Sequence, residues 1–79
     1  MNTVYRAQGL RIVIFLDDHE PAHVHVFGDG QAKINLVGPH GGPELVWSAG
    51  MNRGEVRRAF RLVTEQRAFL LDQWSQMHA

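Results

Sequence analysis

The 79-residue chain has no cysteine, which excludes disulfides, thiolate metal sites and a cysteine nucleophile. It has no apolar run near the ~18 residues of a membrane span. Its first residues, "MNTVYRAQG", lack the apolar core of a secretory signal, so a cytoplasmic protein without membrane contact is expected. Nor is there an excess of either charge. Eight basic and eight acidic residues cancel, and no overall field steers the molecule toward nucleic acid or lipid. The balance conceals an asymmetry. Residues 1–49 carry three cations against five acids, a net of −2, whereas residues 50–79 carry five arginines against three acids, a net of +2. The length leaves room for one small core, since a chain of this size buries only about 60% of the surface its unfolded form exposes. A single domain over residues 1–79 is expected, without a large enclosed active site. The sequence shows neither an internal repeat nor a low-complexity segment.

What is present reads as strands followed by a helix. "LRIVIFL", residues 10–16, is β-branched and aromatic, and "TVYRA", 3–7, is a shorter strand candidate before it. "DDHEP" is a polar turn closed by Pro21, and "AHVHVF", 22–27, alternates valine with histidine as a strand does. "GDG" at 28–30 signals a hairpin into a strand at 32–37, and "ELVWS", 44–48, is a candidate fifth strand. Polarity fixes the register. A three-residue loop with Gly30 in the left-handed position sets Val26 across from Ala32 and Val24 across from Ile34. By the same parity, a five-residue loop at 17–21 pairs Ile14 with Val24 and Leu16 with Ala22. The inner face then collects Leu10, Ile12, Ile14, Leu16, Val24, Val26, Ile34 and Leu36.

Residues 53–77 are predicted as one long helix, because Asn52 with Glu55 resembles a capping box and no proline follows. Val56, Phe60, Val63, Leu70, Trp74 and Met77 form its apolar stripe, and the arginines lie mostly off it as a solvated face. The expected fold is therefore α+β, an antiparallel sheet of three to five strands with one long C-terminal helix on one face.

The other face carries Arg11, Val13, Phe15, His23, His25, Phe27, Lys33 and Asn35. The register puts Val13, His25 and Lys33 in one row and Phe15, His23 and Asn35 in the next. Three functions compete for it. As a metal site, His23 and His25 share a face and His19 or Asp17 supplies a third donor, but Lys33 opposes a dication, so no cofactor is expected. As a nuclease, His23 and His25 act as general base and acid on an RNA 2′-hydroxyl, with Lys33 or Arg11 holding the phosphate. As a contact surface, Arg11, Phe15, His23, His25, Phe27, Lys33 and Asn35 meet a protein partner, a second copy of the chain or single-stranded RNA. Histidines on half-buried strands also often just pack on aromatic neighbours. The protein-partner reading is preferred, since small domains commonly complete a thin core by association. The loop "GPHGGP", with His40, lacks the context of a phosphate cradle and is read as a connection.

"GLRIVIFLDDHEPAHVHV", the glycine hairpin into "AKINL" and "EVRRAFRLVTEQRAFLLDQW" together resemble the small bacterial family catalogued as domain of unknown function 4160. The pattern D-H-x-P-x-H-x-H falls on Asp18, His19, Pro21, His23 and His25, and a closing tryptophan on Trp74. The resemblance carries over no catalytic roles. It implies a context, in which such genes lie beside a second small gene, often of the family called domain of unknown function 2442, in pairs resembling toxin and antitoxin modules. That favours a small protein partner encoded nearby, with RNA or translation as a target. The loop "VGPHGGPELVWS" departs from the family by being longer and richer in glycine.

Overall fold

Alternation of apolar and polar residues is resolved into five strands in the computed structural model, which describes residues 2–79. These are β1 Asn2–Ala7, β2 Leu10–Ile14, β3 His23–Phe27, β4 Gln31–Asn35 and β5 Glu44–Ala49. Each pairs antiparallel with the next, giving one sheet in chain order. The first hairpin is closed by Gln8 and Gly9 at φ 56° and 75°. Two left-handed residues in succession are what a two-residue turn needs to match the twist of its strands.

The second hairpin has the predicted register, with Val26 opposite Ala32 and Val24 opposite Ile34. Gly30, however, is not left-handed; the glycines with positive φ are Gly9, Gly41 and Gly50. Gly30 is needed for a different reason. A Cβ on it would overlap the backbone of Ala49 and Gly50, where the end of β5 passes against the hairpin.

The inner face of the sheet collects Leu10, Ile12, Ile14, Val24, Val26, Ala32, Ile34 and Leu36, all buried. Leu16 does not join them. β2 ends at Ile14, the chain turns with Asp18 N–H donating to the Phe15 carbonyl, and Leu16 is 62% exposed. A turn beginning two residues earlier than expected takes Leu16 out of the ladder, so the predicted Leu16–Ala22 pair does not form.

Two helices, not one, cover this face: α1 Arg53–Glu65 and α2 Arg67–Met77. Gln66 between them leaves helical dihedrals, at φ −101° and ψ 13°. No glycine or proline marks the break. Thr64 donates its hydroxyl to the Phe60 carbonyl at 2.8 Å, a local bond that tends to bend helices. Arg67 then reaches across to the β4–β5 connection, donating to the carbonyls of Leu36 at 2.7 Å and Gly41 at 2.6 Å. This arginine is therefore a clamp and not part of a solvated face. Ala59, Leu62, Val63, Leu70 and Trp74 close the core. No helix among the described residues is long and apolar enough to cross a membrane.

The start of α1 uses half of the expected capping box. Asn52 accepts from the Glu55 N–H at 2.8 Å, but the Glu55 carboxylate turns to the β3–β4 hairpin and accepts the Asp29 N–H at 2.7 Å. Glu55 is 3% exposed and thus ties hairpin to helix. Glu55→Ala should lower stability by about 1.5–3 kcal/mol, the usual worth of a hydrogen bond to a charged group. Thermal unfolding followed by circular dichroism measures the loss, and the Asp29 amide should exchange faster while amides of β2 do not.

Candidate functional site

The outer face is ordered by the same pairing. Thr3, Val13, His25, Lys33 and Trp47 form one row across all five strands. The Val13, His25, Lys33 segment of that row is the one read from sequence. His23 stands opposite Asn35 as expected, whereas Phe15 lies beyond the end of β2 and reaches His25 by its ring instead.

His25 is the hub of an aromatic cluster. Its ring centroid lies 4.8 Å from Phe15, 6.5 Å from Phe27 and 6.3 Å from Trp47, while Arg11 caps Phe27 at 5.2 Å. Val13, paired with His25 in the same row, is fully buried. The face is therefore a thin second core more than an open stacking platform. Burial holds the His25 imidazole below its ordinary pKa against the pull of Asp18, and His23 and Lys33 add to the lowering. Asn35 is engaged with Glu44, to which it donates at 3.2 Å.

His23 is 5% exposed, at the end of the sheet where α2 wraps round. The Trp74 ring packs on it at 5.2 Å, and the Trp74 indole donates to Glu20 at 3.4 Å. His23 Nδ1 lies 2.8 Å from the Pro21 carbonyl, an oxygen that only accepts, so Nδ1 carries the proton. The opposite nitrogen, Nε2, faces Asp18 Oδ2 at 3.0 Å. His25 Nε2 faces the same oxygen at 3.8 Å. One carboxylate thus meets two imidazoles beside a shallow hollow of about 320 Å³ that Lys33 and Trp47 also line.

Of the candidate metal ligands, the structure brings His23 and His25 together. Asp17 and His19 are exposed on the turn and outside the cluster; Asp18 takes the place assigned to Asp17. Alternation cannot be followed through a turn, so residue spacing gave no means of choosing between adjacent aspartates. Trp47 was missed as well, because a bulge at Val46 sets it opposite Lys33.

The second feature is β5. It is an edge strand, and Leu45, Val46 and Trp47 remain 39%, 45% and 39% exposed. A groove of about 510 Å³ runs along α1, lined by Val56, Arg57, Phe60, Arg61 and Thr64. Leu45 and Phe60 border the adjoining hollow, which joins this groove to the strand.

A meander sheet with a helical layer on one side and a histidine cluster at the β2–β3 turn defines a small α+β class of protein. The chain belongs to the family described as Domain of unknown function (DUF4160), which it matches over residues 9–75. The match spans the histidine turn and Trp74 and leaves β1 outside. No curated protein and no solved structure matches the chain.

Proposed function

We propose that this protein is a binding component of a toxin and antitoxin-like two-gene module, and that a small protein encoded beside it docks by adding an extended segment to β5. One observation carries the reading. β5, "ELVWSA", is an edge whose Leu45, Val46 and Trp47 are exposed and which, beyond its Val46 bulge and the Glu44 at its start, carries neither the lysine nor the proline that usually blunts an edge. A strand added there gains main-chain hydrogen bonds, and alternate side chains reach the groove beside Phe60. Arg57 and Arg61 in that groove select a segment with acidic as well as apolar residues. The pairing of such genes, implied by the family, supplies the partner's source and makes RNA or translation the module's target.

Co-expression of the two genes should yield a stable complex on size exclusion. Val46→Lys, a charge placed on the exposed edge, should abolish it while changing stability by no more than about 0.5 kcal/mol, as surface substitutions do. A complex that survives Val46→Lys overturns the assignment. A dimer of the isolated chain dissolved by the same substitution gives the edge to a second copy. RNA cleavage by the isolated chain, lost in His25→Ala, replaces the binding reading with a ribonuclease built on His23, His25 and Lys33.

A further inference from the structure

We infer that Asp18, His23 and His25 form a binding site for one divalent transition-metal ion of the zinc type, with an exchangeable coordination position open to the hollow beside Lys33. The inference does not rest on the docking edge, although Trp47 of β5 also lines the hollow.

The argument begins with the proton on His23. Because Nδ1–H donates to the Pro21 carbonyl at 2.8 Å, the neutral ring presents a lone pair at Nε2. That lone pair points at Asp18 Oδ2, 3.0 Å away, in a place where His23 is 5% exposed. Two electron-rich atoms at this distance repel unless a positive charge lies between them. Oδ2 is itself buried and, among the described residues, has no hydrogen-bond partner of acceptable geometry. His25 brings a third candidate ligand atom, Nε2, to 3.8 Å from the same oxygen.

A second proton on His23 would answer one of these contacts and leave His25 facing the carboxylate without a bond. A metal ion answers all three. The ligand atoms lie within 4.8 Å of one another. An ion at about 2.0–2.1 Å from each keeps its ligands up to about 4.2 Å apart. The 3.0 and 3.8 Å separations fall inside that span, and a small inward rotation of His25 brings in the third. The backbone hydrogen bond on the far side of the His23 ring is the support that metal-bound histidines generally have.

The donor set is two imidazoles and one carboxylate without thiolate, which suits zinc and its neighbours. Three protein ligands leave a tetrahedral ion one position short, as in sites that keep an exchangeable water. That position faces the hollow lined by Lys33 and Trp47. The Lys33 ammonium opposes the ion's charge, so the fourth ligand that fits best is an anion bridging the two.

Untagged protein, stripped with a chelator and titrated calorimetrically with zinc chloride, should bind one equivalent. Cobalt chloride should give the visible absorption of a four-coordinate ion in place of the weak spectrum of the aqua ion. Asp18→Asn and His25→Phe, the second of which keeps an aromatic ring in the cluster, should retain their circular dichroism and lose stoichiometric binding. His19→Ala and His40→Ala should bind as the parent does. The site is overturned if the parent protein binds no zinc, if Asp18→Asn and His25→Phe bind as tightly as the parent, or if His19→Ala or His40→Ala abolishes binding.

Discussion

Gly30→Ala is expected to destabilise the protein by about 3 kcal/mol, the upper end of the ~1–3 kcal/mol usual for overpacking, because the neighbours here are backbone. The added methyl has no flexible side chain to push aside. It meets the carbonyl of Ala49 and the backbone of Gly50, and relief requires the end of β5 to separate from the hairpin. A chain of this length has roughly 4–12 kcal/mol of stability in all, so one methyl removes a large share of it. Each kcal/mol should lower the unfolding midpoint by about 4–8 °C, which a thermal melt resolves easily. Gly9→Ala makes a useful comparison. A Cβ there meets nothing within 4 Å, and its cost comes only from the left-handed backbone at φ 75°. A melt in which Gly30→Ala is no worse than Gly9→Ala would show that the close approach of β5 is absent in solution.

Trp74→Ala should cost about 3–5 kcal/mol, the range for truncating a buried aromatic residue. The indole is 4% exposed and joins three parts of the molecule. It packs in the core with the apolar residues of the sheet, touches His23 at 5.2 Å and stacks on His78 at 3.9 Å. Urea unfolding gives the free energy. Trp74→Phe should recover most of the packing while giving up the bond to Glu20. The ring protons of His23 should shift in the proton spectrum of either variant, because an aromatic neighbour has been removed or reduced. An unfolding free energy within 1 kcal/mol of the parent in Trp74→Ala would rule out the contact set described.

Sheet register was legible because one face is apolar and parity is unforgiving. A slip of one residue between β3 and β4 would exchange valines for histidines, so only the observed pairing keeps Val24 and Val26 inside. The division of the helix was not legible. Thr64 hints at it, but the decisive contacts are those of Arg67 with carbonyls of Leu36 and Gly41, which are distant in the chain. Glu55 shows the same limit. Its position three residues after Asn52 matches a local cap, and only the folded hairpin offers its carboxylate the Asp29 amide. At the histidine turn, His23 and His25 share a face by alternation alone. The choice of Asp18 over Asp17 depends on how the turn closes, and turns carry no such period.

The strands lie in the sheet in the order in which they occur in the chain, with consequences for how the protein folds. Every ladder joins neighbours, so loop closure is cheap at each step and no strand waits for a distant partner. Asp18, His23 and His25 belong to adjacent segments and come together with the β2–β3 hairpin. Trp74 arrives from the far end of the sequence. In kinetic terms the cluster can assemble early and be sealed late, so exchange and proteolysis should find the α2 end of the site the first part to open.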